Sequence, residues 1–399
     1  MKVTTSFIDK LFEKNNKKFF ILLIIFLTLL ASISVLHAIK IANTYGSSDF
    51  QYSSTVLFLE KINPYEYFMS GNLDNRIMFA QWPSYSHATY LLLAPFGFLE
   101  WEIARFIWSI LNFIIAMYCV ILVSKFCKLK VFEIIIVCLI FFCSSPFRNC
   151  ISNGNQTYFI LLFFLAVLIN RESFKNFILG FSYIKYSFMP LLAFFILFKS
   201  GIKGLLISLI FCIIGWLIFS FYLNQSPIET LFQPIQVAFI GFDQTLARGD
   251  LFTILGFLED YKLGFDLNLF RIIIVIIASF FLAKNISKIN DGMLILSLLL
   301  IGNLFTFGHL MYDYIVLLPS FVYSYSNRKL ILAKISLFII LYFWFGSRLI
   351  DYFMDYMSKN TITISPISNV TSTEVVINFV LLIILYYSNL KINNAKKEF

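Results

Sequence analysis

The chain runs to 399 residues, 59% of them hydrophobic and 13% charged, with a mean hydropathy of +0.83, which excludes an ordinary soluble globular domain. Its formal charge of +9 does not point to nucleic acid, because the cations sit in short links between apolar runs and form no stripe interleaved with aromatic residues. Five of its six cysteines, Cys119, Cys138, Cys143, Cys150 and Cys212, lie in or beside apolar runs without ligand spacing and read as packing residues; no bound metal or cofactor is expected.

The apolar residues gather in runs of roughly 15 to 22, the length an α-helix needs to cross the hydrocarbon layer. No alternating pattern of barrel strands is present, and lipid tolerates only helices or closed barrels. The predicted fold class is therefore all-α: a polytopic transmembrane helix bundle of about 12 spans, with 1–399 as a single membrane domain. The first run, Phe19 to Ile39, is too long for a signal h-region and lacks a small-residue cleavage site, so it is expected to remain as an anchor. The following spans are expected at 103–123, 131–147, 157–169, 177–187, 188–198, 205–222, 268–283, 292–308, 313–325, 330–347 and 375–388.

The positive-inside rule orients these spans. One set of links holds Lys2, Lys10, Lys14, Lys17, Lys18, Lys125, Lys128, Lys130, Arg171, Lys175, Lys199, Lys203, Lys284, Lys288, Arg328, Lys329, Lys334, Lys391, Lys396 and Lys397, twenty of the 31 Lys and Arg, and is assigned to the cytoplasm together with both termini. The assignment needs a hairpin over 177–198, turning near Lys185 and Pro190; a single span there would invert everything downstream. Two long loops then face outward, 40–102 with juxtamembrane helices and 223–267. The inner side has only short links and no Gly-rich phosphate cradle, so the chemistry must use material from the membrane or beyond it.

Several residues could carry such chemistry. Asp49 follows the first span and is succeeded by Asn63-Pro64-Tyr65 and Trp82-Pro83. Two readings stand: an interfacial aromatic belt with a solvated aspartate, or a general base tuned by partial desolvation. Lys185 lies in an apolar segment, where a cation costs about 2.5–3.5 kcal/mol near the bilayer centre, so it either snorkels to headgroups or meets a partner such as a lipid phosphate. Asn153-Gly154-Asn155-Gln156 reads as an outer turn, plain or with amides offered to sugar hydroxyls. His309 and His87, two of three histidines, fall near outer boundaries, and Arg248 either screens Asp250 or binds phosphate.

In this order, these pieces resemble the polyprenol-phosphate-dependent glycosyltransferases of the C-type fold, and within them the family-87 mannosyltransferase-like group. The matching pieces are Asp49, Asn63-Pro64-Tyr65, Trp82-Pro83 through Ala94-Pro95, Gly154 to Gln156, then Gly180, Lys185 and Pro190, and finally His309, Asp313, Tyr314 and Pro319. Two departures stand out: Asn155 interrupts the usual Gly-Gln pair, and Lys185 precedes Pro190 by about two residues more than the family's common spacing.

The resemblance implies an inverting transfer of a mannose-like hexose from a polyprenyl-phosphate-linked sugar to a lipid or glycan acceptor; the topology puts this at the outer face, and a composition heavy in Ile, Phe, Lys and Asn suggests a bacterial inner membrane. Asp49 would deprotonate the acceptor, and Lys185, with His309 or Arg248, would stabilise the departing phosphate. Tyr52, Tyr65, Asn155 and Gln156 would shape the acceptor or sugar pocket. Phosphate leaves without a strong acid, so one carboxylate suffices where a hydrolase uses two. The rival readings are a transporter or flippase, which would show internal repeats that are not found here, a polymerase of lipid-linked saccharides, which relies on outer-loop arginines, and a non-enzymatic scaffold.

Overall fold

The fold is that of a computed structural model, which describes residues 17–44, 50–71, 83–244, 251, 255, 267–307, 309–346, 377–378 and 380–385. Asp49, Arg248, Trp82, the terminal lysines Lys2, Lys10, Lys14, Lys391, Lys396 and Lys397, and parts of both long loops lie outside these residues. The described residues form an all-helical bundle with no β-strand. Among the described residues four helices are long and apolar enough to cross a membrane: Ile21–Ala42, Trp101–Phe126, Tyr186–Tyr222, taken across its bend at Gly201, and Leu269–Ile286. The pair Val131–Cys143 and Ser145–Asn153, bent by 62°, adds a fifth candidate.

Each helix buries the face its sequence dictates. The first, Lys17–Ala42, exposes Leu22, Phe26, Leu29, Ile33 and Leu36 and buries Ala31, Ser34, Ala38 and Ala42. Small residues at this three- and four-residue spacing let a membrane helix approach its neighbour closely, and the Ser34 hydroxyl donates to the Phe142 carbonyl at 2.7 Å. In Trp101–Phe126 the buried stripe carries Arg105, Ser109 and Asn112 beside Trp108, Ala116 and Cys119, while Ile103, Phe106 and Ile107 face outward. Polar groups thus turn inward, as a lipid solvent requires.

The central part of the chain is folded more tightly than a row of full spans. Glu172–Gly180 runs into a 3-10 turn, Phe181–Ile184; the chain breaks at Lys185, makes a second 3-10 turn, Tyr186–Phe188, and enters Met189–Tyr222. That last helix is folded in two at Gly201, whose φ of 68° and ψ of −172° belong to a region open only to glycine. Side chains show three legs packed side by side. Ser200 donates to Glu172 at 2.7 Å, which returns leg 189–200 to the start of leg 172–184. Tyr183 meets Ser208 at 3.1 Å and Phe181 stacks on Phe211 at 4.1 Å, which a straight 34-residue helix would prevent.

Other apolar helices are shorter than a span: Ala88–Gly97, Thr157–Leu168, Gly292–Thr306 and Ile331–Gly346. Gly292–Thr306, about 22 Å long, is buried on nearly every side and forms the centre of the bundle. Glycine, proline and 3-10 segments cut several of the expected spans, so their apolar runs exceed their helices.

Candidate functional site

The site is built on one turn. Ser144 accepts from the Phe147 amide at 3.3 Å and starts the helix Ser145–Asn153, with Pro146 near its first position; Gly154 closes it at a φ of 65°. Within the turn, Asn155 Oδ1 accepts from the Thr157 amide at 3.1 Å and lies 2.5 Å from the Thr157 hydroxyl, while its Nδ2 donates to the Tyr85 hydroxyl at 3.3 Å. The Thr157 hydroxyl also stands 2.5 Å from Asp313 Oδ1, so its single proton is shared between two acceptors.

Asp313 gathers the remaining charges. Its Oδ1 forms an ion pair with Lys185, and its Oδ2 lies 3.0 Å from His309 Nδ1. Lys185 comes from the break between the two 3-10 turns and lies 5.2 Å from the Tyr312 ring centre and 5.6 Å from that of Phe188. A buried ammonium without a counter-ion would be strongly destabilising, and Asp313 supplies that counter-ion. The Lys185 side chain keeps 14% of its surface open, against 2% for Asp313 and 1% for His309. Lys185 is therefore the charged member of the group that can meet a ligand.

A second arm reaches the start of the first long loop. Gln156 Nε2 donates to the Phe50 carbonyl at 3.0 Å, and its Oε1 is buried without a protein partner. The Phe50 ring stacks on Trp108 at 5.0 Å, and Trp108 donates to the Gly154 carbonyl at 2.9 Å. Arg105 donates to the Ile151 and Ser152 carbonyls at 3.1 and 2.7 Å, placing its charge at a helix C-terminus. Phe50 and Gln51 both have positive φ, 44° and 68°, a conformation that costs a side chain-bearing residue about 1–2 kcal/mol.

The Asn63-Pro64-Tyr65 motif has a structural task. Asn63 caps the helix Pro64–Met69 and donates to Gln225 and Gln233 at 2.6 and 2.8 Å, and Glu66 accepts from both of those glutamines. Tyr65 is buried and donates to the Tyr85 carbonyl at 2.8 Å, holding the residue whose hydroxyl meets Asn155. His87 faces the Thr230 carbonyl at 3.0 Å; burial pulls its ring down to about 4, with that carbonyl working the other way. Burial pushes the Tyr85 hydroxyl up, with Asp313 adding to the shift, so it stays protonated.

Of the residues singled out from sequence, Lys185, His309 and Asn155 meet around Asp313, with Gln156 adjoining them. Tyr65 acts one residue removed. Tyr52 stands apart, donating to the Leu99 carbonyl at 2.7 Å. Asp313, Thr157 and Tyr85 were given no role from sequence. The available signal was Lys185 itself, a cation needing a carboxylate, with Asp313 one helical turn beyond His309. Among the described residues no group of three or more His, Cys, Asp or Glu could hold a metal ion.

The family model of glycosyltransferase family 87 matches residues 84–283, half of the chain, and takes in Tyr85, the 153–157 turn and Lys185. No curated protein and no solved structure matches the chain. The match takes in the Lys185 and Thr157 side of the polar centre and ends before His309 and Asp313; by it the chain belongs to glycosyltransferase family 87 and is a membrane glycosyltransferase, working with a sugar donor and an acceptor.

Proposed function

We propose that this protein is an inverting transferase which moves a mannose-like hexose from a polyprenyl-phosphate-sugar to a lipid or glycan acceptor, at the outer face of a bacterial inner membrane. The proposal includes the C-type fold with about a dozen spans and cytoplasmic termini. The observation that carries it is Lys185, the accessible ammonium of a buried charge cluster, 3.4 Å from the hydroxyl of Thr157, whose chain neighbour Gln156 grips the residue after Asp49.

In this reading Asp49 removes the proton of the acceptor hydroxyl. The acceptor oxygen attacks the anomeric carbon from the face opposite the phosphate, and the bond from that carbon to the phosphate oxygen breaks with its electron pair going to the phosphate. Lys185 stabilises the charge that develops there, with Arg248 of the second loop as a further cation and His309 supporting from behind Asp313. The strained backbone of Phe50 and Gln51 supports a functional role for their neighbour, since such strain persists where a site requires it. Gln156 Oε1 is free to accept from a sugar hydroxyl. The Asn155 amide, spent on Tyr85 and Thr157, shapes the pocket without reaching the sugar. Tyr65 fixes Tyr85, and Tyr52 braces the loop entrance.

Membranes carrying Asp49→Asn are expected to lose transfer while protein abundance stays at the wild-type level; Lys185→Met is expected to lose transfer per folded molecule, and to lower abundance as well, because it strips the buried Asp313 of its counter-ion. Full product formation by Asp49→Asn would remove the base from the scheme. Glycan and lipid profiles of a deletion strain identify sugar and acceptor together.

A further inference from the structure

The Tyr85 hydroxyl carries a proton that the protein does not use. Asn155 Oδ1 accepts from the Thr157 backbone amide at 3.1 Å, and a backbone amide can only donate, so the end of Asn155 that faces Tyr85 at 3.3 Å is its nitrogen. The phenol oxygen accepts there, and its own proton has to go elsewhere. Among the described residues no hydrogen bond takes it up. Tyr85 keeps only 6% of its surface open, and burial, with Asp313 adding to it, holds the phenol protonated. A buried donor left without an acceptor is costly, and buried polar groups are almost always paired.

The backbone sets this phenol beside Lys185. The Ser86 amide donates to the Ile184 carbonyl at 2.9 Å, so Tyr85 and Lys185 are the chain neighbours on the two sides of that bond. The Tyr85 carbonyl accepts from Tyr65 at 2.8 Å, which fixes the backbone that carries the ring. Lys185 lies 3.4 Å from the Thr157 hydroxyl, itself bonded to Asn155, and 5.2 Å from the ring centre of Tyr312, whose hydroxyl comes to the same Asn155 amide. Lys185 is paired with Asp313, so the two together carry no net charge and draw an anion weakly. A neutral donor beside them adds a hydrogen bond to an anionic oxygen without adding a charge to bury. We propose that Tyr85 touches the ligand: its hydroxyl donates to a phosphate oxygen of the lipid-linked donor, next to Lys185. This rests on the donor class proposed above. The bond strengthens as the phosphate takes up the electron pair of the breaking bond, so it favours departure over the ground state.

The test uses the full chain in nanodiscs with farnesyl phosphate, methyl phosphate and farnesol as probes. Tyr85→Phe keeps the ring and removes the hydroxyl; it is expected to weaken both phosphates about tenfold or more and to leave farnesol within about twofold. An aminophenylalanine in place of Tyr85 supplies a donor again and is expected to recover most of the loss. If Tyr85→Phe does not fold, a fluorotyrosine in place of Tyr85 decides: its fluorine NMR signal is expected to move on addition of either phosphate and to stay in place with farnesol. Wild-type affinity for farnesyl phosphate in Tyr85→Phe, an equal loss for farnesol, or a fluorine signal blind to phosphate overturns the inference. A wild type that binds methyl phosphate as tightly as farnesyl phosphate instead overturns the prenyl-linked donor class, while the effect of Tyr85→Phe on methyl phosphate still decides the contact of the phenol. Binding of neither phosphate overturns both.

Discussion

Gly154 is the position where a single methyl group is expected to disturb the site most. A Cβ built there would lie 2.8 Å from Phe50 Cβ, 2.9 Å from Arg105 Nη1 and 3.0 Å from Arg105 Cζ, and the φ of 65° disfavours any L side chain. The left-handed conformation costs about 1–2 kcal/mol and the overpacking about 1–3 kcal/mol, so Gly154→Ala is expected to lose about 2–5 kcal/mol. Gly154→Asn separates the two contributions, because asparagine tolerates the conformation but still carries the crowding Cβ. Unfolding in mixed micelles, followed by tryptophan fluorescence, measures both, since Trp108 is bonded to the Gly154 carbonyl and stacked on Phe50. If Gly154→Ala unfolds within about 0.5 kcal/mol of wild type, or if Gly154→Asn matches wild type, the close approach of Arg105 and Phe50 does not constrain this turn.

Three further outcomes follow from the same geometry. Thr157→Val removes the hydroxyl between Asn155, Asp313 and Lys185; a hydrogen bond to a charged group is worth about 1.5–3 kcal/mol, so transfer is expected to fall about tenfold or more while Thr157→Ser keeps it. Wild-type transfer by the valine variant would leave that bridge without a role. Asn63→Ala loses a helix cap worth about 1 kcal/mol and both links to the second loop, and faster protease cleavage between 223 and 244 is the expected readout. His87 titrates at about 4 when folded and about 6.5 when unfolded, so its contribution is complete above pH 6.5 and is lost as pH falls, by about 1.4 kcal/mol per unit down to pH 4. His87→Gln is expected to flatten that part of the stability profile, and an unchanged slope would show that the ring is not buried as described.

Much of the chain organisation was legible because punctuation is local. Lys199-Ser200-Gly201 separates the runs 188–198 and 205–222, and the fold turns at Gly201; Lys185 and Pro190 bracket the other reversal. Lys185 also announced that it needed a partner, and His309 that it lay at a boundary. That the partner is Asp313, 128 residues further on, is a tertiary fact which apolar periodicity does not carry. Nor does sequence show that a polar side chain is already spent: Asn155 and Tyr65 look like ligands of a pocket and turn out to be occupied by Tyr85. For a related reason an apolar helix does not declare itself a membrane span. An apolar run reports burial in lipid or in protein alike, and Gly292–Thr306 is buried by its neighbours on nearly all sides.

The leg 189–200 has a bearing on which lipids can react. Twelve residues rise about 18 Å, well short of the ~30 Å hydrocarbon thickness. In the orientation proposed above, with Lys199 and Lys203 at one membrane surface, a leg of that rise leaves the Lys185 ammonium roughly 12 Å beneath the opposite headgroup plane. A donor of the proposed class would then present its phosphate below the level of the surrounding phospholipids, a depth that favours a carrier with a single slender chain over a bulky two-tailed lipid.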